Sequence, residues 1–342
     1  MTLRRVLTLL LVLAAGAHVS AAPAQTDHTA FALLHAAAEA PLHVSFVAQV
    51  ELLTIGSHGS DASIFRVEHR APNLTRRWYL APSNVYGDWT VSRGDSTYAV
   101  DVKHHRVVVT RHDAFGVHFG WRHNLALLTR NYAPILGPDA QIAGRRARTI
   151  SLVNRYSGAT TMRLWVDAAT GLMLQRQVYA TDGSLVVQMH FAELRITNDI
   201  PISTFSLPAN YAQTIGPSRS LPSNNPARAM AESGFAARAP RFLPEGFTPV
   251  AADVGDEKGI RTLHILYSDG LRTISLFENA RGAAVDMSGY HPVALTVGPL
   301  HVESVDRGPT TLFAWSQGNL HYALVGDLNR EDLEKIALSL AQ

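Results

Sequence analysis

Sixteen histidines are the first residues of this chain to test for chemistry. A metal site built on one element needs two imidazoles on one face, three or four residues apart on a helix or two apart on a strand. No histidine pair has any of these spacings, and His104 and His105, being adjacent, point to opposite sides of a strand. The expectation is histidines at turns and on the surface, with no metal and no cofactor. The chain has no cysteine, which removes disulfides, thiolate metal sites and the cysteine-linked anchor of a bacterial lipoprotein.

Gly56-Ser57-His58-Gly59-Ser60-Asp61 brings together the residue types of a serine hydrolase. Their adjacency argues against catalysis. A triad converges from separate segments onto a nucleophile held on a strained elbow, whereas Gly, Ser and Asp in a row between two apolar runs make a turn. Asp253, Asp256 and Glu257 read as a turn-like acidic segment. Glu331, Asp332 and Glu334 read as the first turn of a helix, where the dipole favours carboxylates. No strand leads into a phosphate-cradling glycine loop. The residue types predict a protein that holds something and is not an enzyme; a hydrolase sensitive to substitution of Ser57 or His58 is kept as the contrast.

The elements around these residues are mostly strands. Arg4 and Arg5 precede an apolar run, Val6 to Ala17, with small-residue cleavage sites ending at Ala21 or Ala24. This reads as a secretory signal peptide over residues 1–24, since the run falls short of the roughly 20 apolar residues a bilayer span needs. Loss of Arg4 and Arg5 takes Lys plus Arg from 30 to 28, against 28 Asp plus Glu. A formally neutral mature chain without a basic stripe speaks against nucleic acid as a partner, and an exported, periplasmic protein is expected. Thr29–Ala40 has the stripe of a short amphipathic helix. Alternating segments at His43–Leu52, Ile64–His69, Thr75–Leu80, Thr97–Val102 and Arg106–Thr110 follow, with turns at the spacing of an antiparallel meander. Trp121–Tyr132 predicts a helix with Leu125, Leu127 and Leu128 facing inward. Residues 209–239, rich in Pro, Ser, Asn, Gly and Ala, read as a linker with a helical piece at Ala227–Phe235. A second domain, 240–342, carries five further strands and a closing helix with Leu333, Ile336 and Leu340 on one side.

Leu164 to Tyr179 draws a β-hairpin. Met162, Leu164 and Val166 alternate with mixed residues, Asp167 to Gly171 supplies the turn, and Leu172, Leu174 and Val178 resume the period. A second turn at Thr181-Asp182-Gly183 leads into Leu185, Val187, Met189 and Phe191. Leu164, Leu174, Val178, Val187, Met189 and Phe191 therefore form an apolar face that Leu34 and the Leu127 helix are able to cover. Closely packed, that face is core; with a gap beneath the helices it is a pocket for an acyl chain.

Asn131-Tyr132, then Ala143-Gly144-Arg145-Arg146-Ala147, then Leu164-Trp165-Val166-Asp167 with Gly171-Leu172-Met173-Leu174 and Asp182-Gly183 resemble the N-terminal domain of the RseB/MucB periplasmic regulators. The second half resembles the same family through Leu243-Pro244-Glu245-Gly246-Phe247, Leu266-Tyr267-Ser268-Asp269-Gly270-Leu271 with Ser275-Leu276-Phe277, and Tyr322 to Leu328. The resemblance implies an α+β protein: an antiparallel half-barrel of LolA/LolB type covered by helices (25–208), followed by a smaller α+β domain. It also implies a negative regulator of an envelope-stress sigma factor. Such a protein binds the periplasmic part of a membrane-spanning anti-sigma factor, shields it from proteolysis, and releases it on sensing mislocalised lipoprotein or lipopolysaccharide. On that reading the half-barrel senses an acyl chain, and Tyr267, Ser268, Asp269 and Leu271 contact the partner. The alternative is a periplasmic lipid or lipoprotein carrier or chaperone that uses the same pocket without an anti-sigma partner.

Overall fold

A computed structural model describes residues 28–56, 59–111, 124–215, 225–257, 260–280, 291–307 and 310–341. The signal-peptide reading and the Ser57-His58 pair lie outside the described residues. After a first helix, α1 (His28–Glu39), come β1 (Phe46–Gly56), β2 (Gly59–Arg70), β3 (Leu74–Ala81), β4 (Trp89–Arg93), β5 (Ser96–Asp101) and β6 (Arg106–Arg111), each antiparallel to the one before. A short helix, α2 (Leu125–Asn131), runs directly into β7 (Tyr132–Leu136), followed by β8 (Ala140–Ile142), β9 (Arg145–Asn154), β10 (Thr160–Asp167), β11 (Met173–Tyr179), β12 (Leu185–Ile196) and β13 (Ala212–Ile215). β12 returns beside β1, joining two meanders into one thirteen-stranded sheet in the order β13-β6-β5-β4-β3-β2-β1-β12-β11-β10-β9-β7, with β8 on β9.

β13 and β7 end this sheet without meeting, so it is a large open sheet and not a closed barrel. At the β7 end α1 and α2 set Ala30, Leu34, Ala37, Ala38 and Leu128 onto Tyr132, Ile150, Leu152, Met162, Leu164 and Val166. At the far end the described residues place a strap over the sheet that contains one 3-10 turn, Ile202–Phe205, and no α-helix. Ile200 and Phe205 pack on Trp89, Val91, Val100 and Val107, and Arg70, Arg76 and Arg93 donate to the carbonyls of Ile200, Thr204 and Phe205. Cover by α-helices is thus confined to one part of the sheet among the described residues.

The hairpin expected from the sequence is β10 and β11. Its turn is fixed by Asp167, whose buried carboxylate accepts two hydrogen bonds from Arg145 (3.0 and 2.9 Å) and two from Thr170 (3.0 Å from N, 2.5 Å from Oγ1). Arg145 follows Ala143 and Gly144, both at positive φ. The two family motifs of the first half are therefore the two sides of one ion pair. Burial raises the Asp167 carboxyl, but the Arg145 fork and the Thr170 donors outweigh it and hold the group below the usual carboxylate range.

The second sheet contains β14 (Thr248–Glu257), β15 (Ile260–Ser268), β16 (Thr273–Asn279), β17 (Val293–Val297), β18 (Leu300–Arg307), β19 (Thr310–Gln317) and β20 (Leu320–Gly326), in the order β14-β15-β16-β20-β19-β18-β17. Helices α3 (Pro226–Glu232) and α4 (Arg330–Ala341) cover one face, burying Ala229, Leu333, Ile336, Ala337 and Leu340 against Leu263, Ile265, Leu276, Phe313 and Leu324. Asn329 caps α4 by accepting from Asp332 N at 2.8 Å.

Three expectations change. Residues 209–239, expected as a linker, carry ordered contacts: 212–215 add β13 to the first sheet, and Ala229, Met230, Phe235 and Ala237 pack on the second. The segment lacks a periodic stripe because its contacts are scattered: Ala229 and Met230 on a helix of seven residues, then Phe235 and Ala237 beyond it. Asp253 is on strand β14, where it meets His264 (3.2 Å), and not in a turn. The predicted helix to Tyr132 ends at Asn131, and Tyr132 opens β7.

Candidate functional site: the joint and cleft between the sheets

The two halves meet where α2 passes into β7. Asn131 is fully buried there, and its side-chain amide is saturated: Nδ2 donates to the carbonyls of Gly246 (2.9 Å) and Asp269 (2.8 Å), and Oδ1 accepts from Tyr156 Oη (3.0 Å). Tyr132 Oη donates to Asp269 Oδ2 at 2.5 Å. Asp269 Oδ1 in turn accepts from Leu271 N (2.9 Å) and Arg272 N (2.7 Å), which closes the β15–β16 turn around the carboxylate. Burial first, and then the Asp269 charge, push the Tyr132 phenol far above its ordinary value, so it remains a donor at any physiological pH.

Glycine is required at the contact. A Cβ on Gly270 (φ +98°) would sit 2.4 Å from Leu128 N, and one on Gly246 (φ +88°) would sit 2.9 Å from Asn131 Cγ. Arg272 adds a third tie by donating to the Tyr179 carbonyl at the end of β11 (3.1 Å), and Leu271 packs into the α1–α2 core.

Beside this joint lies a partly open cleft of about 260 Å³. The first sheet contributes Met162, Arg176, Val178 and Val187, and the second contributes Leu271, Arg272, Asp327 and Leu328. Burial pushes the Asp327 carboxyl up to about 6, opposed by the Arg272 charge and by the Thr273 N–H at 3.2 Å. The site thus combines apolar walls with two guanidinium groups and one carboxyl of raised pKa. Among the described residues no group of three or more His, Asp or Glu is placed to hold a metal, and no helix is long and apolar enough to cross a membrane.

The structure divides the apolar face expected from the sequence. Val178 and Val187 line the cleft. Leu164 is sealed beneath α1, Leu174 and Phe191 pack with Phe46 and Phe65, and Met189 touches both clusters, so these four are core and not cavity wall. Arg176 was missed. It stands opposite both Leu164 and Met189 in register, on the apolar face itself, and burial pushes its guanidinium pKa down. The signal was present in the alternation Leu174, Arg176, Val178, where a cation occupies an inward position. The expected partner-contacting residues also move. Tyr267, Ser268 and Asp269 are 3, 2 and 2% exposed: Tyr267 packs in the second core, Ser268 bonds within the turn and Asp269 is held in the joint, while Leu271 packs on the first domain and lines the cleft.

Comparison with known proteins follows the same lines. Residues 32–209 match the MucB/RseB N-terminal domain model. No curated protein matches the chain in sequence. Among solved structures, MucB in complex with MucA(peri) is similar over 91% of this chain and 97% of that one, at 18% identity and a TM-score of 0.62. The MucA/MucB complex of Pseudomonas aeruginosa gives the same identity and score over 91% and 98%. MucB crystallised by itself gives 17% identity and a TM-score of 0.52 over 92% and 98%. The likeness spans both sheets and so concerns the whole architecture. The domain match covers more than half of the chain, through the very segments whose Asn131, Tyr132, Arg145 and Asp167 shape the joint and the hairpin: the protein belongs to the MucB/RseB family.

Proposed function

We propose that this protein is a periplasmic negative regulator of an envelope-stress sigma factor, which binds the periplasmic segment of a membrane-spanning anti-sigma factor and responds to a lipid or lipoprotein effector at the cleft between its sheets. The observation that carries the reading is the joint. Asn131 and Tyr132 of the first half bond to Gly246 and Asp269 of the second, so the motifs shared with the family hold two domains in one arrangement. The cleft opens beside those bonds, and an apolar group entering between Val178, Val187 and Leu271 would act on the joint as a wedge. A ligand can shift such an equilibrium only by binding the opened state more tightly than the closed one. The family membership and the solved MucB complexes with MucA support the partner class.

The carrier alternative is less well supported by the cleft's size. About 260 Å³ lies below the roughly 300–1,000 Å³ of sites that enclose a whole ligand, which suits a sensing contact more than cargo. The test is calorimetry with the periplasmic segment of a candidate single-span anti-sigma factor from the same organism. Micromolar or tighter binding is expected, weakened when an acylated lipopeptide is added; no binding at 50 µM, or binding indifferent to lipopeptide, would overturn the partner and the effector parts respectively.

A further inference from the structure

The edge of the first sheet at β6 carries an unusual cover. β13 pairs with β6 in parallel, Ala212 to Arg106 through Ile215 to Val109, whereas every other pairing in the described residues of this sheet is antiparallel. All four residues of β13 are exposed, and Ile215 is 84% exposed. The strand buries no side chain in either sheet's core. Its main-chain bonds, the Ala212 N to His105 O bond (3.1 Å) and, just before the strand, Tyr211, which stacks on His105 (4.9 Å) and packs on the Trp89 and Val107 cluster, hold it. Ordering four residues for main-chain bonds alone, without apolar burial, leaves an element with little net stability.

What it covers is different. β6 reads Arg-Val-Val-Val-Thr-Arg, a β-branched strand whose Val107 is wholly buried and whose Val108 is exposed. An uncovered strand of this kind is a template for another strand. The hairpin tip before it carries exposed Lys103, His104, His105 and Arg106; Asp101 pairs with His104 and Arg106, and Asp88 accepts from Val102 N, which leaves Lys103 as the exposed cation with no acid paired to it among the described residues.

We propose that β13 is a displaceable plug on a recognition edge, and that the edge of β6 takes an extended segment of the anti-sigma partner by strand addition, with an acidic residue of that segment beside Lys103. This rests on the proposed function and adds where the partner binds and what competes with it. Strand addition supplies affinity through main-chain bonds and selectivity through alternate side chains and flanking charge. An incoming strand longer than four residues would use all six of β6 and replace β13 at a net gain.

The absence of cysteine makes the test clean. Thr214 and Val108 stand opposite each other in the ladder, so Thr214→Cys with Val108→Cys should lock the plug when oxidised and free it when reduced; thiol titration reports closure. The probe is the anti-sigma periplasmic segment, titrated by calorimetry against both redox forms and against Thr214→Pro, which cannot hold the ladder. The inference expects at least tenfold weaker binding by the oxidised form, recovery on reduction, and equal or up to tenfold tighter binding by Thr214→Pro. Affinities within twofold across all forms overturn the plug and leave the proposed function standing. No binding by the wild-type protein overturns both. A lock that changes only the protein's own dimerisation assigns the edge to a second copy and overturns the partner assignment.

Discussion

Replacing Gly270 by alanine should separate the two domains. The new Cβ would lie 2.4 Å from Leu128 N, 2.5 Å from Leu128 Cα and 2.9 Å from Leu127 C, all backbone atoms of α2 that cannot rotate aside. Restoring an ordinary separation of about 3.5 Å requires the turn to withdraw by about 1 Å. The Asn131 Nδ2 to Asp269 O bond, now 2.8 Å, and the Tyr132 to Asp269 bond, now 2.5 Å, would then exceed useful hydrogen-bond length. Losing a neutral bond costs about 1 kcal/mol and one to a buried carboxylate about 1.5–3 kcal/mol. A non-glycine residue at φ +98° adds about 1–2 kcal/mol. The sum is about 3.5–6 kcal/mol, of which the two lost bonds, about 2.5–4 kcal/mol, fall on the docking of the domains. Gly318→Ala is the control, because Gly318 also has positive φ (+59°) with nothing within 4 Å of its added Cβ, so it carries backbone strain alone. Urea unfolding followed by fluorescence, with small-angle scattering on the folded protein, reads the difference. Gly270→Ala should unfold in two steps and show a larger radius of gyration, while Gly318→Ala should unfold in one step at slightly lower urea. Equal losses in the two variants, with unchanged dimensions, would refute the argument that close approach at Gly270 fixes the joint.

Other changes probe the hairpin, the second core and the face of the first sheet. Arg145→Ala strands the Asp167 carboxylate, which is 2% exposed, and should cost about 3 kcal/mol in chemical denaturation; Arg145→Lys should recover only part, since one ammonium cannot replace the two-pronged contact. Because the Asp167 pKa is depressed in the folded state, its stabilisation is complete above the unfolded value near 4 and is lost as pH falls through the folded value, so the wild-type advantage over Arg145→Ala should shrink in acid melts. Glu278 behaves oppositely. Burial pushes its carboxyl up to about 7, only partly offset by the Arg238 N–H, so folding loses stability between the unfolded value near 4.3 and about 7 and stays lower above it; Glu278→Gln should therefore raise the Tm at pH 8 and leave it nearly unchanged at pH 4. Leu164→Ala should cost about 2–5 kcal/mol as a core truncation, whereas Val187→Ala at the cleft should cost about 1 kcal/mol or less and change effector affinity; comparable losses in denaturation would erase the distinction between core and cleft.

Much of the local structure was written in short-range pattern. The alternation through Leu164 and Leu174, the turn residues from Asp167 to Gly171 and the stripe of Leu333, Ile336 and Leu340 each record a period of the chain's own geometry, and each element formed as expected. The missing cysteines, the histidine spacing and the nearly balanced charge, formally +2, likewise bounded the chemistry without any fold. Asp253 misled because the neighbour that accommodates its largely buried carboxylate, His264, is on the next strand and outside the local pattern. Residues 209–239 misled because a short strand held by main-chain bonds and a helix burying one alanine leave no stripe to read.

The joint belongs to the other kind of information. Asn131 and Asp269 were each visible as motif residues, but their contact spans 138 positions, and no local period encodes which buried amide will face which carbonyl. Packing decides that, since a polar group taken out of water must find its partner wherever the fold brings one. By the same rule the apolar face was legible as a face, while its division into sealed core at Leu164 and Leu174 and open cleft at Val178 and Val187 depended on where α1 ends and the second sheet begins. The sequence determined that an apolar face would form; only the docking of two sheets decided where that face remains open.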